Sequence, residues 1–283
     1  MNSVGVVGAG TMGGGIAHVA AAAGFETFLH DISPELLERG MGRISAEVAR
    51  GVGKGRTTPE EASAILSRIT ARPVLEELGP CGIIIEAAAE DLQIKRAIFT
   101  RLAAAAGKSA ILATNTSSLS VTALASGLPD PGRFLGLHFF NPPAAMKLVE
   151  VIRGSATTDA TVGTAIAFSK RLGKVPVVAA DSPGFIVNRV ARPFYGEALK
   201  LLGEGVADII EIDRIVKSVG GFPMGPFELM DLIGIDVNLA VTRSVYEQMF
   251  GEPRFRPHVI QQRMVNAGRL GRKTGRGFYE YGG

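Results

Sequence analysis

Short apolar, β-branched runs punctuate the first two-thirds of this 283-residue chain, at residues 4–7, 26–30, 82–87, 110–114, 133–139, 148–152 and 175–179. Ala- and Leu-rich stretches lie between them. Strands alternating with helices predict βαβ units, whose parallel strands form one sheet with helices on both faces. Past residue 181 the pattern changes. Ser182-Pro183 reads as a helix N-cap followed by proline at the first helical position. Helices are then predicted over residues 183–202, 206–219, 226–232, 236–250 and 256–267. Two domains follow: residues 1–182, α/β on a mostly parallel, doubly wound sheet, and residues 183–283, all-α. The second carries apolar segments such as "FELMDLIGIDVNLAV". One face of it is expected to be hidden against a second copy, giving a homodimer.

The first predicted turn brings in chemistry. "VGVVGAGTMGGGIAHVAAAAGF" is a strand, then Gly8-Ala9-Gly10-Thr11-Met12-Gly13, then a helical pattern. A GxGxxG between strand and helix at the start of a domain is the fingerprint of a Rossmann-type dinucleotide site. Gly8 allows the tight turn, Gly10 lets a pyrophosphate approach the backbone, and Gly13 permits close helix packing. The helix N-terminus offers its N–H groups to the phosphates. Asp31 lies 18 residues beyond Gly13, near the spacing of about 20 expected for the acid that holds a ribose 2′-hydroxyl. Its charge would repel a 2′-phosphate, so NAD is expected rather than NADP.

Composition narrows the class. Hydrophobic residues make up 46% and charged residues 20%, which excludes a disordered chain. The apolar stretch over residues 16–25 is too short to cross a bilayer and lacks the basic flank of a signal peptide. A cytoplasmic protein with no membrane partner is expected. The lone Cys81 precludes an internal disulfide and a cysteine-based zinc site, and no metal is predicted. A net charge of +3 suits anionic ligands, but without a basic patch or motif it predicts no nucleic-acid partner.

In open α/β sheets ligands sit outside the carboxyl ends of the strands. Four polar clusters border such ends: Glu90-Asp91, Asn115 to Ser118, His138 with Asn141, and Asn188. Histidine readily accepts and returns a proton near neutral pH, as oxidation of an alcohol alongside hydride loss requires. Glu150, inside "KLVEVI", needs a partner if buried. Pro142-Pro143 forces a turn between the two β segments, so the second can run back and bring Glu150 to His138. A carboxylate on the other ring nitrogen would fix the tautomer and stabilise the imidazolium.

The motifs "GAGTMGGGIA", "NTSSLS", "GLHFFNPPAAMKLVEVI", "DSPGFIVNRV", "GGFPMGPFELMDLIGID" and "GRKTGRGFYEY" resemble, in order and spacing, those of NAD-dependent L-3-hydroxyacyl-CoA dehydrogenases. The resemblance spans essentially the whole chain. It implies reversible oxidation of a short-chain (S)-3-hydroxyacyl-CoA, 3-hydroxybutyryl-CoA foremost, to the 3-oxoacyl-CoA. His138 would be the catalytic histidine and Glu150 its partner, Ser117 the hydroxyl on the substrate oxygen, and Asn188 a substrate-positioning amide. For NAD it implies the loop of residues 8–13 with Asp31, Glu90, Lys95, Asn115, Ser117, Asn141 and Lys273.

For the coenzyme A moiety, Arg39, Arg43, Arg50 and Lys54 would form one stripe if their segment is helical, a premise that Gly40, Gly42, Gly51 and Gly53 weaken. The resemblance places the CoA contact on Lys54. The family also admits a carboxylated acyl chain such as 3-hydroxyadipyl-CoA. A dehydrogenase of a free hydroxy acid would share the nucleotide fold without CoA contacts. A non-catalytic NAD-binding protein would not need Ser117, His138, Glu150 and Asn188 together.

Overall fold

The computed structural model describes residues 2–282 and comprises two compact units, Met1–Ser182 and Pro183–Gly283. In the first, one sheet contains β1 (Ser3–Val7), β2 (Glu26–His30), β3 (Ile69–Ala71), β4 (Ile83–Glu86), β5 (Ile111–Thr114), β6 (Phe134–Phe139), β7 (Leu148–Arg153) and β8 (Val175–Ala180). Their order is β3-β2-β1-β4-β5-β6-β7-β8. Only the β6–β7 pair is antiparallel. The chain leaves β1 in one direction and returns on its other side at β4, which makes the β1–β4 gap the topological switch point where such sheets bind ligands. Successive residues Ile83, Ile84 and Ile85 are all 0% exposed. Because neighbours on a strand point to opposite faces, the sheet is covered on both.

The connecting helices are α1 (Thr11–Ala22), α2 (Pro34–Gly53), α3 (Pro59–Ser67), α4 (Leu92–Ala105), α5 (Val121–Ala125) and α6 (Asp159–Arg171). The starts of α2 to α6 follow capping rules. Ser33 accepts from Leu36 N ahead of Pro34, Thr58 and Glu61 form a capping box, and Asp91 accepts from Gln93 N and Ile94 N. Asp91 is thus a helix cap. The glycines of α2 do not break it. Gly40 is buried where a Cβ would fall 2.4 Å from that of Ala9, so its absent side chain lets α2 lie against the nucleotide loop.

The second unit holds α7 (Val187–Gly203), α8 (Ile209–Ser218), α9 (Pro226–Ile233), α10 (Ile235–Gln248) and α11 (Val259–Asn266). Tyr195, Leu199, Ile212, Phe227, Met230 and Ile235 form its core. Two buried carboxylates organise it. Asp213 accepts from the N–H groups of Phe227 and Glu228 at the start of α9 and from the Tyr279 hydroxyl. Asp231 accepts from Phe278 N, Tyr279 N and the Tyr281 hydroxyl, which ties down the C-terminal segment.

One expected boundary is corrected: α7 begins at Val187, and Ser182-Pro183 is not its cap. Gly184 (φ +75°) and Phe185 (φ +48°) are left-handed, a conformation that cannot continue a right-handed helix. The turn before Asn188 is also less buried than its apolar residues suggest. Phe185 is enclosed, but Ile186 and Val190, on one side of the helix, are 41% and 70% exposed.

Candidate active site

The glycine loop joins β1 to α1 at the switch point. Gly8 has φ +97°, and a Cβ on it would meet the Ala87 carbonyl at 2.6 Å. A Cβ on Gly13 would fall 1.7 Å from Gly8 O. Gly10 differs: nothing lies within 4 Å of its Cβ position, and as N-cap of α1 it brings no side chain to the helix N–H groups. Thr11 is exposed and Met12 half-buried on the first turn. Asp31, at the end of β2, accepts from Ala9 N at 2.6 Å and from Ile32 N at 2.7 Å. An open glycine, uncapped donors at a helix start and an adjacent carboxylate fit a dinucleotide.

At the ends of β4 and β5 a polar network shapes the next loop. Lys95, 1% exposed, bonds Glu86 at 2.6 Å and Glu90 at 3.3 Å. Glu86, wholly buried, also accepts from Ala88 N and the Thr114 hydroxyl. Glu90 then gathers the NTSS loop, accepting from the Thr116 hydroxyl at 2.6 Å, Ser117 N at 2.9 Å and the hydroxyls of Ser117 and Ser118. Burial alone would push the Glu90 carboxyl up, but Lys95 and these donors together hold it below the usual carboxylate value. Asn115 reaches the other way, its Oδ1 accepting from Phe139 N at 2.9 Å. Glu86 escaped sequence reasoning. Its signal was a carboxylate closing the apolar run "IIIE", where burial demands a cation.

His138 stands directly opposite Glu150 in the antiparallel β6–β7 register. Its Nδ1 lies 2.7 Å from Glu150 Oε2, with the two residues 6% and 1% exposed. A carboxylate can only accept, so Nδ1 carries the hydrogen and proton exchange with a ligand falls to Nε2. The Phe140 ring packs beside the imidazole, 4.5 Å between centroids.

The turn that follows is held from two sides. A Cβ on Gly15 of α1 would meet Pro143 at 2.8 Å, so the proline packs flush on the nucleotide helix. Lys174, 8% exposed, donates to the carbonyls of Pro143 and Met146. Lys174 was also missed, since "GKV" ahead of a strand carries no motif. Asn141 is exposed on this turn.

Arg39, Arg43 and Arg50 are exposed along α2, and Lys54 is its exposed C-cap. Arg43 is committed to the nucleotide loop, donating to Ala9 O. Asn188 and Lys273 belong to the second unit. Asn188 lies in the first turn of α7, and Lys273 pairs with Asp236 at 2.7 Å.

A glycine loop at the switch point and, along the same carboxyl edge, a histidine held by a buried carboxylate define a nucleotide-dependent dehydrogenase of alcohols. The comparisons with known proteins are specific. Residues 3–182 match the model of the 3-hydroxyacyl-CoA dehydrogenase NAD binding domain, and residues 184–281 that of the 3-hydroxyacyl-CoA dehydrogenase C-terminal domain. The chain belongs to the 3-hydroxyacyl-CoA dehydrogenase family, and NAD is its cofactor.

A 3-hydroxybutyryl-CoA dehydrogenase of Bradyrhizobium diazoefficiens is 46% identical over 283 residues, covering 100% of this chain and 96% of that one. A 3-hydroxyadipyl-CoA dehydrogenase of Escherichia coli K12 is 46% identical over 281 residues, 99% of this chain but 59% of that longer protein. The crystal structure of (S)-3-hydroxybutyryl-CoA dehydrogenase from Ralstonia eutropha superposes with a TM-score of 0.95 at 42% identity, covering 100% of both chains.

Proposed function

We propose that the protein catalyses the reversible NAD-dependent oxidation of a short-chain (S)-3-hydroxyacyl-CoA, with 3-hydroxybutyryl-CoA as the reference substrate. The observation that carries this reading is the buried His138–Glu150 pair at the carboxyl edge that also holds the glycine loop. The full-length similarity to 3-hydroxybutyryl-CoA dehydrogenases supports the substrate.

NAD supplies the hydride acceptor for C3. His138 takes the hydroxyl proton at Nε2, and Glu150 stabilises the imidazolium that results. Ser117 donates to the reacting oxygen, its loop set by Glu90, and Asn188 positions the acyl group. Gly8, Ala9, Gly10, Thr11, Met12 and Gly13 with Asp31 hold the dinucleotide, aided by Glu90, Lys95, Asn115, Asn141 and Lys273. Lys54 contacts the CoA moiety. The enzyme works in the cytoplasm, where acyl-CoA and NAD are found together, as a homodimer through its second unit.

The test is NADH oxidation with acetoacetyl-CoA and with free acetoacetate. Turnover of the thioester with a Michaelis constant at least tenfold below that of the free acid is expected. Equal constants would favour a free hydroxy-acid dehydrogenase. NADPH should serve at least tenfold less well, because Asp31 meets its 2′-phosphate.

A further inference from the structure

Glu86 is a wholly buried carboxylate to which the proposed reaction gives no part. It closes β4, in register with Val7 of β1 on one side and Thr114 of β5 on the other. The nucleotide loop leaves the sheet just after Val7 and the loop of Ser117 just after Thr114, so Glu86 stands between the two. Its Oε1 accepts from Lys95 Nζ at 2.6 Å and Ala88 N at 2.7 Å, and its Oε2 from the Thr114 hydroxyl at 2.8 Å. A buried carboxylate–ammonium pair contributes little net stability, because desolvation offsets the attraction. What this pair fixes is geometry, and two routes lead from it to Ser117.

The first route runs through Lys95, whose enclosed ammonium is committed to carboxylates. It sits nearer Glu86 than Glu90, at 2.6 Å against 3.3 Å from Glu90 Oε2. Glu90 Oε1 is thereby left to the loop. It faces the Thr116 hydroxyl at 2.6 Å, Ser117 N at 2.9 Å, the Ser118 hydroxyl at 3.2 Å and the Ser117 hydroxyl at 3.3 Å. One carboxylate oxygen has about two lone pairs, which the two short bonds fill. The Ser117 hydroxyl is the most weakly held of these donors, so its single hydrogen is the one most readily turned to a reacting oxygen. The second route runs through Thr114. A carboxylate only accepts, so the Thr114 hydroxyl donates to Glu86 and its oxygen is left to accept from Thr116 N at 3.3 Å. Thr116 Oγ1 in turn accepts from Ser118 N and Leu119 N, which closes the loop around Ser117.

We propose that Glu86 is a positioning residue for Ser117: by holding Lys95 and Thr114 it sets the loop so that the Ser117 hydroxyl turns its hydrogen from Glu90 to the reacting oxygen. This rests on the reading above, in which Ser117 donates to that oxygen. Glutamine in place of Glu86 has the shape without the charge. Lys95 then closes on Glu90, its one remaining carboxylate among the described residues, and draws it from the loop. The glutamine amide donates to Thr114, whose rotatable hydroxyl can accept it, so the buried polar groups stay paired and the variant folds.

The test is a double-mutant cycle of Glu86→Gln and Ser117→Ala in NADH-dependent reduction of acetoacetyl-CoA. Glu86→Gln should lower kcat about 10- to 100-fold, the cost of misplacing a reacting group by about 1 Å, and leave the NADH dissociation constant within about threefold. Ser117→Ala should lower kcat about 100-fold. Because Glu86 acts through Ser117, the Gln substitution should cost less than about threefold further in the Ser117→Ala background. Losses that multiply, or a Glu86→Gln variant with turnover within about threefold of the parent, would overturn the proposal. So would a tenfold or larger loss of NADH affinity in that variant, the mark of general damage at the switch point.

If Glu86→Gln does not fold, Thr114→Val takes its place in the same cycle, since it severs the second route and leaves the Glu86–Lys95 pair intact. A loss in kcat of about tenfold that disappears beside Ser117→Ala supports the proposal, and parent-like turnover or multiplied losses overturn it. A parent that does not reduce acetoacetyl-CoA overturns the acyl-CoA reading and the proposal together. An active parent whose Ser117→Ala variant keeps kcat within about threefold overturns the roles of Ser117 and Glu86 and leaves the acyl-CoA reading standing.

Discussion

At the residue scale, the three glycines of the nucleotide loop do different work, and substitution separates them. Gly10 faces open space, so Gly10→Ala should leave the melting temperature within about 2 °C of the parent, as surface changes generally do. NADH affinity should nonetheless fall at least tenfold, because the methyl group would stand where the pyrophosphate is proposed to approach the backbone. Gly13→Ala puts a carbon onto the Gly8 carbonyl and should cost about 1–3 kcal/mol of stability by overpacking. Thermal melts and calorimetric titration of NADH check both. A Gly10 variant that binds NADH normally would remove the loop from the cofactor site.

Sequence reasoning singles out His138, Glu150, Asp31 and the glycines because their chemistry is unusual for their place along the chain. Glu86 and Lys174 were not legible. Their roles depend on partners brought by other elements, Lys95 and Thr114 for the first and the carbonyls of the β6–β7 turn for the second.

At the element scale, the short apolar, β-branched runs located seven of the eight strands, and the proline pair implied that β7 returns beside β6, as it does. The reversal puts His138 in register with Glu150, so the site's central contact follows from a turn signal between two apolar runs. β3 has only three residues, two of them exposed, too short to show a pattern. The start of α7 was misplaced because Ser-Pro is a sound capping signal that the left-handed Gly184 and Phe185 override. The glycines of α2 read as helix breakers because their penalty is local, whereas the gain at Gly40, close packing on Ala9, is tertiary.

At the scale of the whole molecule, the second unit leaves Val190, Val206, Ile210, Val219 and Phe250 at least 65% exposed. The proposed homodimer would cover such residues, two-fold pairing of identical chains being the commonest oligomeric arrangement. Sedimentation velocity at micromolar concentration should show a species of twice the 29.7 kDa chain mass. A monomer at that concentration would contradict the homodimer.

The central claim is that a folded nucleotide site and one histidine, held by Glu150, together carry out the reaction. The most direct measurement is acetoacetyl-CoA reduction by the parent and by His138→Gln, with NADH binding followed on the same samples. The account predicts that kcat falls by about 10²- to 10⁴-fold while the dissociation constant for NADH stays within twofold. A variant with normal NADH binding and turnover within threefold of the parent would contradict it.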